Sequence, residues 1–184
     1  MPGTSSSISL GRSCPSDYAN GHTGSSQWDL VLEATAGTPV FAVGDGRVAK
    51  IGNEPKGGGG YGRFILLEFD NPKYDATANQ CSGVAEYENL YALYAHLEHI
   101  ELDVKVGTEV DAGQQLGKTG RSGNITTEPS HLHFEIKPND TMTKSSNNVR
   151  FDPGEVFGYE LYNCGDTGLV NQELFGSCQA EDGD

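Results

Sequence analysis

Short β-forming runs recur along this chain with glycine turns between them, and no stretch carries the period of a long amphipathic helix. PVFAV (39–43), RVAKI (47–51), RFILLEF (63–69), NLYALYAHL (89–97) and SHLHFEI (130–136) are each rich in apolar or β-branched residues. Turn formers bound them, as strands require. Among 184 residues, 25 are Gly and 8 are Pro, which favours many turns over long helices. The pattern predicts an all-β domain of mainly antiparallel sheets. GDG (44–46), between the first two runs, predicts a hairpin. Strict alternation places Leu90, Ala92, Tyr94 and His96 on one strand face. In SHLHFEI it places Leu132, Phe134 and Ile136 on one face, and His131, His133 and Glu135 on the other.

Around these runs lie a polar lead-in (1–20) and a flexible loop, KGGGGYG (56–62). No helix start or Walker lysine follows that loop, so it is not a phosphate cradle. A long polar excursion fills 70–88, short strands and two glycine turns are expected in 104–120, and FDPGEVF (151–157) precedes the tail. The expected domain spans 21–160, with 161–184 a tail closed by a disulfide. Net charge is −14, from 12 basic and 26 acidic residues, which excludes nucleic acid and anionic lipid as partners. No apolar run of ~20 residues is present, so no membrane span is expected. Cys14, Cys81, Cys164 and Cys178 form no C-x-x-C pair. Two disulfides in an oxidising compartment are expected, with Cys164–Cys178 and Cys14–Cys81 one of three pairings. MPGTSSSISL lacks the charged and apolar regions of a signal peptide. An exported chain of this kind would have shed its leader or would leave by another route. A monomer is the expectation.

Chemistry rests on five histidines: His22, His96, His99, His131 and His133. Catalytic zinc takes imidazole and carboxylate ligands and keeps one position for water. Same-face neighbours on a strand lie ~6.6 Å apart at the backbone, against a Zn–N bond of ~2.0–2.1 Å. One ring of H-x-H can therefore bind metal while the other reaches the water. Spacing alone does not say which, and H-x-H alone does not separate a metal site from the polar side of a strand.

Five segments occur in a telling order: GTPVFAVGDGRVAKIG (37–52), GYGRFILLEF (60–69), YALYAHL (91–97), VKVGTEVDAGQQLGKTGRSG (104–123) and SHLHFEI. Over roughly residues 20–157 the succession resembles the lysostaphin-like (LytM-type) zinc metalloendopeptidases, which cut peptide crosslinks of bacterial peptidoglycan. The resemblance implies Zn2+ held by a histidine, a following aspartate and the second histidine of H-x-H, which are His22, Asp29 and His133 here. It implies that His131 and His96 flank the attacking water and the scissile carbonyl. His131 then acts as the base, and His96 stabilises the oxyanion or protonates the leaving amine. The commonest family pattern is H-x-x-x-D, yet Ser25 stands four residues before Asp29. His22, in GHTGSSQWD, matches members with a longer H-T-G…D spacing. No H-E-x-x-H is present, so a thermolysin-type glutamate base is not expected.

The substrate implied is a peptide bond between small residues. Its groove is expected between the loop at 57–60, the 70–88 excursion and the segment after Arg121. His99 is expected to face solvent, Glu135 to support the ligands, and Trp28 and Tyr61 to lie in the core. The envelope-facing or secreted location follows from the wall substrate. Two other readings stand beside this one. A non-catalytic LytM-like domain could bind wall peptides or regulate another hydrolase. A lipoyl-like carrier is suggested by the V-x-x-G…G-Q-x-L-G turns, although Lys118 is poorly placed for modification.

Overall fold

A computed structural model describes residues 10–12, 29–55, 60–74, 84–125, 130–142, 150, 151 and 153–157. At 10–12, 29–33, 154 and 155 it describes the backbone alone. The strands are β1 (Leu10–Arg12), β2 (Asp29–Glu33), β3 (Pro39–Phe41), β4 (Gly46–Glu54), β5 (Gly62–Asp70), β6 (Asn89–Ile100), β7 (Glu109–Val110), β8 (Gln115–Thr119) and β9 (His131–Lys137). A 3-10 turn (Val84–Glu86) precedes β6, and a single-turn helix, α1 (Pro153–Phe157), follows β9. Every pairing is antiparallel, as expected from the sequence. The order across the sheet is β1-β2-β9-β6-β5-β4-β7, with β8 joining β3 to β6. No helix among the described residues is long and apolar enough to cross a membrane.

β6 is the axis of the fold. One edge pairs with β5 along nearly its whole length, from Asn89↔Asp70 to Leu97↔Arg63. The other edge changes partner: Tyr91–Ala95 pair with β9, whereas Leu97–Ile100 pair with β8. The sheet therefore splits at residue 96, and an isolated bridge between Gly120 and His131 links the two partners there.

Apolar layers cover both faces. Leu90, Ala92, Tyr94 and Leu97 of β6 share the larger core with Ile65, Leu67, Leu132, Phe134 and Ile136. Leu93 and Ala95 join Tyr61, Phe64 and Leu66 in a smaller cluster on the opposite face. Burying each large apolar side chain contributes roughly 1.5–3 kcal/mol.

One expectation changes. PVFAV and RVAKI do not form a hairpin, because β3 pairs with β8 while β4 pairs with β5 and β7. The segment between them is pulled aside: the Ala42 amide donates to the Gln114 carbonyl at 2.9 Å, and the Val43 amide to the Tyr94 hydroxyl at 3.0 Å. The described stems of the 70–88 excursion flank the end of β5 and the start of β6. They are stapled by Asn71, whose side-chain amide donates to the Val84 and Tyr87 carbonyls at 2.7 Å each. They lie beside Asn89, about 23 Å along β6 from His96 at ~3.3 Å per residue. Residues 75–83 themselves lie outside the described residues, as do all four cysteines.

Gly120 sits at the split with no room for a side chain. A Cβ there would lie 2.5 Å from the Glu98 Cβ and 2.6 Å from its amide nitrogen. Gly120→Ala is expected to cost about 1–3 kcal/mol, read as a lower denaturant midpoint with an unchanged m value.

Candidate functional site

β9 reads HLHFEIK, and its register on β6 settles which side chains share a face. His133 stands opposite Ala95, Glu135 opposite Leu93 and Lys137 opposite Tyr91. This polar row thus lies over the smaller apolar cluster, away from Phe134 and the larger core.

Alternation would leave His96 on the wrong face, with Tyr94 and the core. Instead the β5–β6 register shifts between Arg63 and Ile65, so that Ala95 and His96 together oppose Phe64. His96 adopts φ 62°, the left-handed region that only a few per cent of non-glycine residues enter, histidine more often than most. The bulge swings its imidazole to the other face. Its ring centroid lies 5.0 Å from that of His131 and 5.6 Å from that of His133, both edge-on. Three imidazoles from two strands converge, each 4–7% exposed. Holding a non-glycine residue there costs roughly 1–3 kcal/mol.

Behind His133 lies a buried ionic group. His133 Nε2 is 2.7 Å from Glu135 Oε1, and the Tyr61 hydroxyl donates to the same oxygen at 2.9 Å. Arg150 Nε pairs with Glu135 Oε2 at 2.8 Å, with both side chains almost fully buried. Burial opposes ionisation of Glu135, but the hydrogen bond and charge of His133, then those of Arg150, outweigh it and hold the carboxyl well below its usual range. An ionised carboxylate only accepts, so Nε2 of His133 carries a proton, and in the neutral ring this leaves the lone pair on Nδ1. Burial, followed by the nearby Glu135 charge, pushes the Tyr61 hydroxyl well above its ordinary pKa, so it stays a donor. Lys137, also buried, donates to the Thr141 carbonyl, and burial lowers its pKa.

These residues fit a zinc ligand set in their chemistry. A ligating histidine characteristically gives its other ring N–H to a carboxylate, which fixes tautomer and orientation. The Glu135 contact does this for His133. Asp29 opens β2 opposite Glu135, and Val31 stands opposite His133, so Asp29 occupies the strand neighbouring β9. The Asp29 side chain, His22, Ser25 and Trp28 lie outside the described residues. Among described residues no three His, Cys, Asp or Glu side chains form a metal-binding group by themselves. His99 faces solvent beside Glu101, as expected, 3.7 Å from it. Tyr61 is buried, yet it serves the carboxylate rather than the core alone. Arg150 was not anticipated from sequence: it lies 15 positions beyond Glu135 (150 − 135), and no local pattern marks it.

The model of peptidase family M23 matches residues 26–147, and the chain belongs to this family. It is 33% identical over 138 residues to the glycyl-glycine endopeptidase ALE-1 of Staphylococcus capitis, covering 74% of this chain and 30% of that protein. It is 30% identical over 134 residues to the cell division protein DipM of Caulobacter vibrioides, covering 73% and 18%. The chain thus spans less than a third of the length of either. Against lipoprotein NlpD of Yersinia enterocolitica it is 30% identical over 122 residues, covering 66% of this chain and 97% of the relative. The crystallised catalytic domain of lysostaphin from Staphylococcus simulans matches with a TM-score of 0.50 at 27% identity, over 69% of this chain and 75% of that one. A solution structure of lysostaphin, at 22% identity and TM-score 0.51, shares the fold.

The strain at His96 is directly measurable. In an ordinary strand Gly is weaker than Ala by roughly 0.5–1 kcal/mol. At φ 62° the order should invert, with His96→Gly more stable than His96→Ala by about 1 kcal/mol in equilibrium unfolding.

Proposed function

We propose that this chain is a zinc-dependent endopeptidase that hydrolyses peptide crosslinks of bacterial peptidoglycan. The observation that carries the reading is the meeting of His96, His131 and His133 at the split in the sheet, with the Glu135 carboxylate fixed behind His133. The family is one of zinc-dependent peptidases. His22, Asp29 and His133 are the ligands we assign. When bound at such a site, zinc lowers the pKa of a coordinated water toward ~7 and polarises a carbonyl.

The chain's own residues supply the rest. His131 accepts a proton from the attacking water as general base. His96 faces the substrate carbonyl, where the doubly protonated ring donates through Nε2 to the developing oxyanion or hands that proton to the leaving amine. Glu135, Arg150 and Tyr61 hold the His133 ring in one tautomer and one orientation. His96, His131, His133 and Glu135 all sit on strands, which keeps their mutual geometry within narrow limits.

One relative is named a glycyl-glycine endopeptidase and another a peptidoglycan DD-endopeptidase, from Vibrio cholerae. Both bond types are therefore candidate substrates, and a wall substrate places the chain outside the cytoplasm. Mass spectrometry of digested purified walls of both crosslink types identifies the bond cut.

Purified protein is expected to bind about one zinc per chain and to clear a peptidoglycan zymogram. His22→Ala should abolish zinc retention, whereas Ser25→Ala should leave it intact. The reverse result assigns the ligand wrongly. A wild-type chain with neither zinc nor lysis sinks the reading and favours a wall-binding or regulatory module. Glu135→Gln keeps the shape but removes the charge, and should weaken zinc affinity ~10–100-fold in a chelator competition.

A further inference from the structure

The bulge that turns His96 is completed by a side chain from a different part of the chain. Arg63 and Leu97 are partners across β5 and β6, strands whose alternate facing pairs exchange backbone bonds directly. The Ser122 hydroxyl stands between them. Its Oγ accepts from the Arg63 amide at 2.8 Å and donates to the Leu97 carbonyl at 2.8 Å. The carbonyl oxygen of the same Ser122 lies 2.9 Å from His96 Nδ1. A carbonyl only accepts, so Nδ1 must carry a proton to make this contact.

The segment bearing Ser122 lies tightly against the loop entering β5. Gly62 (φ 62°) and Gly123 (φ 79°) both adopt left-handed backbone, and they approach too closely for side chains. A Cβ on Gly62 would lie 2.3 Å from the Ser122 Oγ, and one on Gly123 would lie 2.3 Å from the Gly60 carbonyl oxygen. The Asn124 amide donates to that same Gly60 oxygen at 3.1 Å, and the His96 amide donates to Tyr61 O at 2.9 Å. The contact around His96 is therefore built from both the loop entering β5 and the loop leaving β8.

We propose that Ser122 is a positioning residue for the reaction. Its hydroxyl replaces the ladder rung lost to the bulge, and its carbonyl pins a proton on Nδ1 of His96. Proton exchange at the site is thereby confined to Nε2, whether the ring acts as donor or acceptor. Without the anchor, neither orientation nor tautomer of the ring is held.

The test uses the full chain as purified, with its metal, labelled with 15N-histidine and read at a pH where His96 is neutral. Wild type should show a protonated Nδ1 and an unprotonated Nε2. Ser122→Ala keeps the backbone carbonyl but removes the hydroxyl that anchors it, so it should give a tautomer mixture and lower kcat on purified peptidoglycan ~10²-fold, with KM and bound zinc unchanged. Ser122→Thr, which keeps the hydroxyl, should restore both. A wild-type ring with its proton on Nε2 overturns the proposal, even where Ser122→Ala does not fold. So does a folded Ser122→Ala protein with unchanged tautomer and kcat. The kcat readout rests on the peptidase reading, but the tautomer does not. A chain without lytic activity that still shows the Nδ1 proton, and loses it in Ser122→Ala, sinks the peptidase reading and upholds this one.

Discussion

A single left-handed residue governs the arrangement of this site. His96 belongs by alternation to the core face of β6, and φ 62° carries it to the opposite face. The same point is where β6 exchanges β9 for β8 as its neighbour. These two facts are one constraint. A strand that changes partner on one edge opens a gap in its ladder, and a bulge places an extra residue there and increases the local twist. The imidazole falls into the gap, beside the two histidines of β9. Backbone strain of this kind persists only where the surroundings over-determine it. Here the Ser122 contacts, the Tyr61 carbonyl and the close-packed glycines at 62 and 123 do so.

The buried charges under His133 pose a separate energetic question. Taking Glu135 and Arg150 out of water costs several kcal/mol per ion, and such pairs are often no more stabilising than apolar residues of the same shape. Stability alone is therefore a weak account of them. Their geometry suits orientation: one carboxylate oxygen serves His133 and Tyr61, and the other faces Arg150. A carboxylate fixed at both oxygens cannot rotate away from the ring it holds. The cost is local, whereas both apolar layers of the sheet supply the bulk of the stability.

Much of this was legible in the sequence. Period-two alternation and glycine turns identified β5, β6, β8 and β9, the antiparallel class, and the shared face of His131, His133 and Glu135. Those features are encoded by neighbours two residues apart. What alternation could not give was the face of His96, because a bulge shifts the period and only the β5 partner reveals it. The PVFAV–RVAKI hairpin failed for a related reason. GDG does mark a bend, but Gln114 and Tyr94, more than 50 positions away, decide where each arm pairs. Ser122 and Arg150 were invisible for the same cause. Each acts through residues distant in sequence, and neither carries a local pattern of its own.

The unusual spacing before Asp29 bears on the ligand assignment through chain entropy. In this chain Asp29 lies seven positions after His22, against four in the commonest family pattern. Closing a loop costs free energy that grows only with the logarithm of its length, so lengthening it from four to seven adds about 0.5 kcal/mol. That is small beside the free energy of zinc ligation, about 10–16 kcal/mol in structural sites. Asp29 opens β2, so the three extra residues fall ahead of the strand and leave its register on β9 untouched. A longer loop can thus deliver a histidine without disturbing the strands that hold the other groups. The spacing is no physical argument against His22 as the first ligand.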